Sequence, residues 1–373
     1  MNQKKEDRLF IQYFETISEG CGILQHSIYG VGDLKKGYTT DDNARALILA
    51  VMLYEEEHKP KYMKLISKYI AFLMNAQNDD GRYKNFMTFQ LDFYEEEGSE
   101  DCQGRCIWAL GRTISSKKLP ENIKRSCIHM LNKILENWVD FRSPRANAYS
   151  IVGFSYVPKH PIAKKVMEKL SIALAEQYGK FSKKDWRWFE DSITYGNSFF
   201  PWAMLKAFER FQREDYLQIA KESFEFLEKI TMQKKYFKPI GCNGWLMKGG
   251  KAAKYDEQPI EACEMLLCYL SFYRLTKEVQ YLKGAKKCFA WYQGENSKGL
   301  KLIDPQTGAC HDGLNENGLN LNQGSESIVS YGIALMELGE FVQPISKKTE
   351  KKTQKNKKAL MTKTESEPQI DKI

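Results

Sequence analysis

The sequence predicts an all-α fold of six helical hairpins closed into a ring, an (α/α)6 barrel. Apolar residues recur at three- and four-residue spacing along almost the whole chain, and extended runs are few and brief. The connections alternate in kind. Long polar and aromatic segments (37–45, 99–105, 184–197, 237–261 and 307–326) each lead into a helix, whereas 56–61, 116–121 and 212–216 are short and plain. The pairs recur at roughly 40–60 residues, a period that marks repeat architectures. A closed ring places every rich loop on one face and buries the end hairpins that an open solenoid exposes.

The helices follow in order. Phe10, Tyr13, Phe14 and Ile17 set the first, over 10–17. The apolar run at 46–54 sets the second, over 43–54, with Thr40 as its expected N-cap. The third, 61–75, rests on Leu65, Ile66, Tyr69 and Leu73; the fourth, 103–114, on Cys106, Ile107 and Leu110. Helices over 121–138, 162–176, 199–211 and 217–231 carry stripes such as Cys127–Met130–Leu131–Ile134 and Leu217–Phe224–Leu227. Pro259 suits the first turn of a helix over 260–275, with Asp256 as its cap. Helices over 280–292 and 324–338 end the series, and a short, weaker one is expected over 146–152.

The rich loops carry the chemistry. Tyr38-Thr-Thr-Asp41-Asp42-Asn-Ala-Arg45 sets two acids at a helix start, where the positive helix end favours them. Capping explains one Asp; adjacent helical residues point about 100° apart, so the other can face the ring centre. Glu100-Asp101-Cys-Gln-Gly104-Arg105 repeats the theme, with one acid expected as a cap and Gly104 allowing close backbone approach. Trp186-Arg-Trp188-Phe-Glu190-Asp191-Ser-Ile-Thr-Tyr195-Gly196-Asn197 is the most informative stretch. Core packing accounts for one Trp, but indoles beside carboxylates in a loop suit a sugar ring, with its C–H face and hydroxyl rim. Trp245 on a Gly-rich loop is a further candidate plate. Asp312-Gly reads as a turn, and Asn322 to Glu326 opens the last helix.

The chain has 373 residues and needs no staple to bury a core. Its mean hydropathy is −0.53, and no apolar run approaches the roughly 20 residues of a membrane span. The charged, non-apolar first residues give no expectation of a signal peptide. The net charge of +8 is mostly local: nine Lys against four acids lie in 347–373. Residues 346–373 are therefore expected to form a disordered Lys-rich tail beyond a single domain over 1–345, and no nucleic-acid partner is expected. Nine cysteines without a CxxC pair fit a reducing, cytoplasmic setting.

The strings at 38–45, 186–201, 237–245, 256–262, 307–314 and 320–327 together resemble a bacterial family of glycoside-hydrolase-like (α/α)6-barrel proteins. Members occur fused to, or encoded beside, retaining glycosyltransferases and β-mannoside phosphorylases. The resemblance covers roughly residues 8–340. It implies an oligosaccharide or glycoconjugate substrate, a mannoside or glucoside, and a glycosyltransferase as partner. Two positions depart from the family pattern: Gly196, where Asp is usual, and Glu257, often Gln.

The leading expectation is a glycoside hydrolase without cofactor. Such an enzyme needs one carboxylic acid for the leaving oxygen and a second carboxylate for water or carbon. The Trp-flanked pair Glu190/Asp191 is the candidate acid; Asp42, Asp101, Asp256 and Glu326 compete for the other role. Tyr38, Asp41, Asp42, Arg45, Arg105, Trp186, Trp188, Tyr195, Asn197, Trp245, Asp312 and Asn322 are the candidate substrate contacts. Inverting and retaining chemistry both stay open, as does phosphate in place of water. A second class is a non-catalytic glycan-binding accessory to a glycosyltransferase, which Gly196 keeps in play. A third is a zinc enzyme of the lanthionine-cyclase type, with Cys310, His311 and Cys242 as ligands. Epimerases of this shape use histidines, and only His26 and His311 fall in suitable loops.

Overall fold

A computed structural model describes residues 3–341. Among them, twelve helices follow in order: α1 Gln3–Ile17, α2 Thr40–Glu57, α3 Pro60–Ala76, α4 Glu100–Ile114, α5 Glu121–Glu136, α6 Pro144–Ser155, α7 Pro161–Phe181, α8 Phe199–Phe211, α9 Glu214–Thr231, α10 Pro259–Thr276, α11 Val279–Tyr292 and α12 Ser325–Gly339. The expected tail over 346–373 and its boundary lie outside the described residues.

Helices α2, α4, α6, α8, α10 and α12 pack in that cyclic order, and α12 closes back on α2. Helices α3, α5, α7, α9 and α11 each back the inner helix before them, and α1 backs α12. The fold is an (α/α)6 barrel. The inner helices are apolar nearly all round, as fully surrounded helices must be: every residue from Pro259 to Phe272 is buried. The outer helices bury one stripe, such as Tyr62, Leu65, Ile66, Tyr69 and Leu73 of α3.

Three short turns leave an inner helix through a left-handed C-cap, at His58, Gln212 and Lys277, which ends the helix and reverses the chain. The long segments run over the opposite face, at the N-terminal ends of the inner helices. There they form two-residue antiparallel ribbons: β1 Ser27–Ile28 with β2 Val31–Gly32, β3 Tyr38–Thr39 with β4 Phe86–Met87, β5 Ser192–Ile193 with β6 Leu246–Met247, and β7 Leu314–Asn315 with β8 Gly318–Leu319.

Several expectations are corrected. The weak helix at 146–152 is a full inner helix, α6. Ala146, Ala148 and Gly153 hide its character in the sequence, yet they let α6 lie directly on α4. A Cβ at Gly111 would meet the Gly153 carbonyl oxygen, and one at Gly153 would lie 2.7 Å from the Ile107 backbone. Ser99, not an acid, caps α4 by accepting from the Cys102 amide (3.2 Å). Thr40 is already helical; Thr39 stands before it, and its hydroxyl donates to Asp42 (2.6 Å). Gln258, not Asp256, occupies the cap of α10.

Candidate active site

The first turns of the inner helices meet at the centre of the loop face. Helix α2 contributes Asp41, Asp42 and Arg45; Arg45 follows the two acids by four and three residues and so neighbours both. The Arg45 guanidinium reaches Asp42 (2.6 Å) and, across the ring closure, Glu326 of α12 (3.0 Å). Asp41 pairs with Arg105 of α4 (2.5 Å). Arg105 donates on to the Tyr149 hydroxyl of α6 (3.3 Å), and that hydroxyl donates to Glu264 of α10 (3.3 Å). Glu261, one turn earlier, accepts from the Gly196 amide (2.6 Å) and from Asn197 Nδ2 (2.8 Å) at the start of α8. Ion pairs and hydrogen bonds thus link α12, α2, α4, α6 and α10, and Glu261 of α10 ties in the segment that leads into α8.

A second chain runs toward the rim. Asp101 accepts from Ser143 Oγ (2.7 Å) and from the Tyr195 hydroxyl (2.8 Å). The Tyr195 ring lies over the Arg145 guanidinium at 4.8 Å. Arg145 donates to the Tyr195 carbonyl (2.6 Å) and the Thr194 hydroxyl, and it pairs with Glu190 (2.8 Å).

Acids outnumber guanidiniums here, and burial and the arginines between them set each acid's protonation. Burial pushes the Asp42 carboxyl up to about 6; Arg45 opposes the rise, while Asp41 and Glu326 add to it. Burial acts on Asp41 too, but Arg105 and Arg45 together outweigh it and hold that carboxyl below its usual range. Burial raises Glu190 against the pull of Arg145, with Asp101 adding to the rise. Burial, with Glu261 alongside, pushes Glu264 well up. The Glu264 Oε2 atom is buried without a hydrogen-bond partner among the described residues, which suits a carboxyl that keeps its proton.

Access separates these groups. The side chains of Glu326 and Glu190 are 34% and 22% exposed, whereas Asp42 is at 6%. The structure therefore brings Asp41, Asp42, Arg45, Asp101, Arg105, Glu190, Tyr195, Asn197 and Glu326 together around one centre. Trp245 stands at its edge, half-buried, its ring 6.1 Å from that of Tyr195.

Other expected residues are engaged differently. Asp191 points to the surface, 61% exposed, and pairs with Lys248 (3.2 Å). Trp188 is fully buried against Phe189, Phe200 and Phe226. Trp186 packs on Phe226, and its indole donates to the Glu190 carbonyl (2.6 Å), so it shapes the loop from behind. Tyr38 is buried and stacked on Phe89. Asp256, half-buried in the loop before α10, stays beside the centre: burial raises the Cys242 thiol, and the carboxyls of Asp256, Glu261 and Glu326 all add to the rise. Asp312 is saturated by the Gly324 amide (2.7 Å), Ser327 Oγ (2.6 Å) and Asn322 Nδ2, and Asn322 also meets His26 Nδ1 (2.6 Å). That pair clasps two loops.

Cys310 is buried, its thiol against the His311 carbonyl (3.5 Å), and His311 Nδ1 lies 3.0 Å from the Asn320 carbonyl. Among the described residues, no three His, Cys, Asp or Glu are grouped to hold a metal ion. The donor set required by the zinc reading is thus not assembled.

Sequence reasoning missed Arg145, Tyr149, Glu261 and Glu264. A signal was present: Asp41/Arg45, Asp101/Arg105 and Arg145/Tyr149 are polar pairs four apart at the starts of three successive inner helices.

No family model matches the chain, and no curated protein matches it. Solved structures do. Cellobiose 2-epimerase from Bacillus thermoamylovorans superposes with a TM-score of 0.69 at 12% identity, covering 90% of this chain and 100% of that one. A D-mannose isomerase gives 0.67 at 14% identity, covering 91% and 98%. The GH76 alpha-mannanase of Bacteroides thetaiotaomicron gives 0.63 at 12% identity, covering 91% and 96%. At these identities the likeness shows the shared barrel.

Proposed function

We propose that this chain is a carbohydrate-active enzyme that cleaves glycosidic bonds by carboxylate catalysis, with Glu190 as general acid and Glu326 as the second carboxylate. The observation that carries this reading is access. Of the carboxyls gathered at the ring centre, Glu190 and Glu326 are the most open to a substrate. Burial favours the protonated form of Glu190, as an acid requires, and Arg145 beside it favours the carboxylate left after transfer. Glu326 is ion-paired to Arg45, which suits a group that must act ionised. Asp41, Asp42, Asp101 and the arginines supply hydrogen bonds for hydroxyls. The barrel is also that of the alpha-mannanase and epimerase above. Mannosides as substrate, a glycosyltransferase as partner and a cytoplasmic setting belong to the same reading. They rest on the family resemblance and, for the setting, on nine free cysteines. No described helix is long and apolar enough to cross a membrane.

Product analysis on α- and β-linked gluco- and manno-oligosaccharides, with and without phosphate, tests the proposal. Glu190→Gln and Glu326→Gln should each lower turnover at least a hundredfold while the fold is kept. Wild-type turnover in both variants would sink it. A second reading, sugar epimerisation or isomerisation, is favoured by the partly exposed His26, whose Nδ1 faces Asn322. It would appear in the same incubations as a new isomer without cleavage. Saturable binding without any product would favour the accessory role.

A further inference from the structure

Among the described residues, six non-glycine residues have a left-handed backbone. Three of them, His58, Gln212 and Lys277, are helix C-caps, where that conformation is ordinary. The other three are Tyr29, Leu91 and Trp245, all large side chains on loops of the site face. Trp245, with φ 55°, sits where a bulky residue is an outlier. The backbone fixes it there: its amide donates to the Gly241 carbonyl (3.1 Å) and its carbonyl accepts from the Ala253 amide (2.9 Å). The next residue, Leu246, pairs with Ile193 on the strand that leads into Tyr195.

The result is an aromatic ledge. The Trp245 and Tyr195 rings are 6.1 Å apart, tilted by 47°, and Tyr195 is 37% exposed. Beneath Tyr195 lies Arg145, which holds Glu190. A general acid protonates the leaving oxygen, so a ring on this ledge belongs to the leaving group.

We infer that Trp245 and Tyr195 form the subsite for the sugar ring on the leaving-group side of the bond, and that the left-handed backbone of Trp245 is kept to turn its indole onto that ledge. The assignment of side rests on Glu190 as the acid; the ledge itself does not. The substrate is then a di- or oligosaccharide rather than a single sugar.

The test uses the full chain in the Glu190→Gln background, so that nothing turns over. Cellobiose, β-1,4-mannobiose, glucose and mannose are titrated calorimetrically, and thermal unfolding is followed. Trp245→Gly should raise the disaccharide Kd about tenfold and leave monosaccharide Kd within about twofold. Its Tm should hold or rise, because glycine accepts the left-handed region freely. Trp245→Phe keeps a plate and should bind disaccharide within about threefold of the parent. An unchanged disaccharide Kd, equal loss for both sugar sizes, no disaccharide binding by the parent, a fall in Tm for Trp245→Gly, or complete loss with Phe overturns the inference. Cleavage by the wild type with Trp245-independent binding sinks this inference alone. Trp245-dependent binding without cleavage by the wild type sinks the glycosidase reading, and the assignment of side with it, and leaves the ledge as a sugar subsite.

Discussion

Asp42, itself nearly sealed from solvent, shares one guanidinium with the more open Glu326, and its carboxyl is pushed up to about 6 by burial, against Arg45 and with Asp41 and Glu326 assisting. In the unfolded chain it titrates near 4. Between those values the folded protein binds more protons than the unfolded one. Stability from this group is therefore fully present below pH 4 and is lost as pH rises through 6. The loss is on the order of 3 kcal/mol at its limit. Asp42→Asn should flatten the decline between pH 4 and 7, read from urea midpoints across that range. A variant whose midpoint falls as steeply as the parent's would show that Asp42 is not the group responsible. The carboxyls of Glu261 and Glu264, also raised by burial, add slope of the same sign.

At the scale of single elements, the β1–β2 hairpin turns through Tyr29 and Gly30, both left-handed (φ 53° and 79°). Such a turn favours Asn-Gly. Tyr29→Asn should stabilise the fold by about 1 kcal/mol, seen as a higher Tm; a lower Tm would mean that the exposed ring packs on something essential. The α4–α6 contact predicts the opposite sign. Gly111→Ala places a methyl against the Gly153 carbonyl and should cost about 1–3 kcal/mol by denaturant unfolding. These two elements also mark what the sequence discloses. Outer helices such as α3 were legible because one stripe is apolar and the other polar. Inner α6 was nearly illegible, since a surrounded helix needs small residues and loses its period. The candidate site was legible where acids open a helix, as at Asp41, Asp101 and Glu326. It was illegible where a side chain's direction depends on tertiary packing. Glu190 and Asp191 are neighbours in sequence, but one enters the ring and the other meets solvent. Trp186 and Trp188, two residues apart, both turn into the core because Phe226 and Phe200 lie behind them.

For the whole molecule, ring closure depends on a helix far from its partner in the chain. Helix α1 backs α12, burying Phe10, Tyr13, Phe14 and Ile17, with Phe10 edge-on to Tyr331 at 5.4 Å. The Tyr13 hydroxyl donates to the Gln323 carbonyl (2.6 Å), and the Gln323 amide donates to the Ser27 carbonyl (2.8 Å), so the first and last loops are tied at the seam. Arg45 and Glu326 meet across that same seam, which couples closure to the site. Four large buried side chains stabilise by about 6–12 kcal/mol as an upper bound. Whole domains are stable by only about 5–15 kcal/mol. Deleting residues 1–18 should therefore abolish the cooperative thermal transition and sugar binding together. Tyr13→Phe should cost about 1–2 kcal/mol and leave both in place. A deletion variant that still melts cooperatively near the parent Tm would show that α12 docks on α2 and α10 without its outer helix, and the seam would then owe its closure to the inner ring.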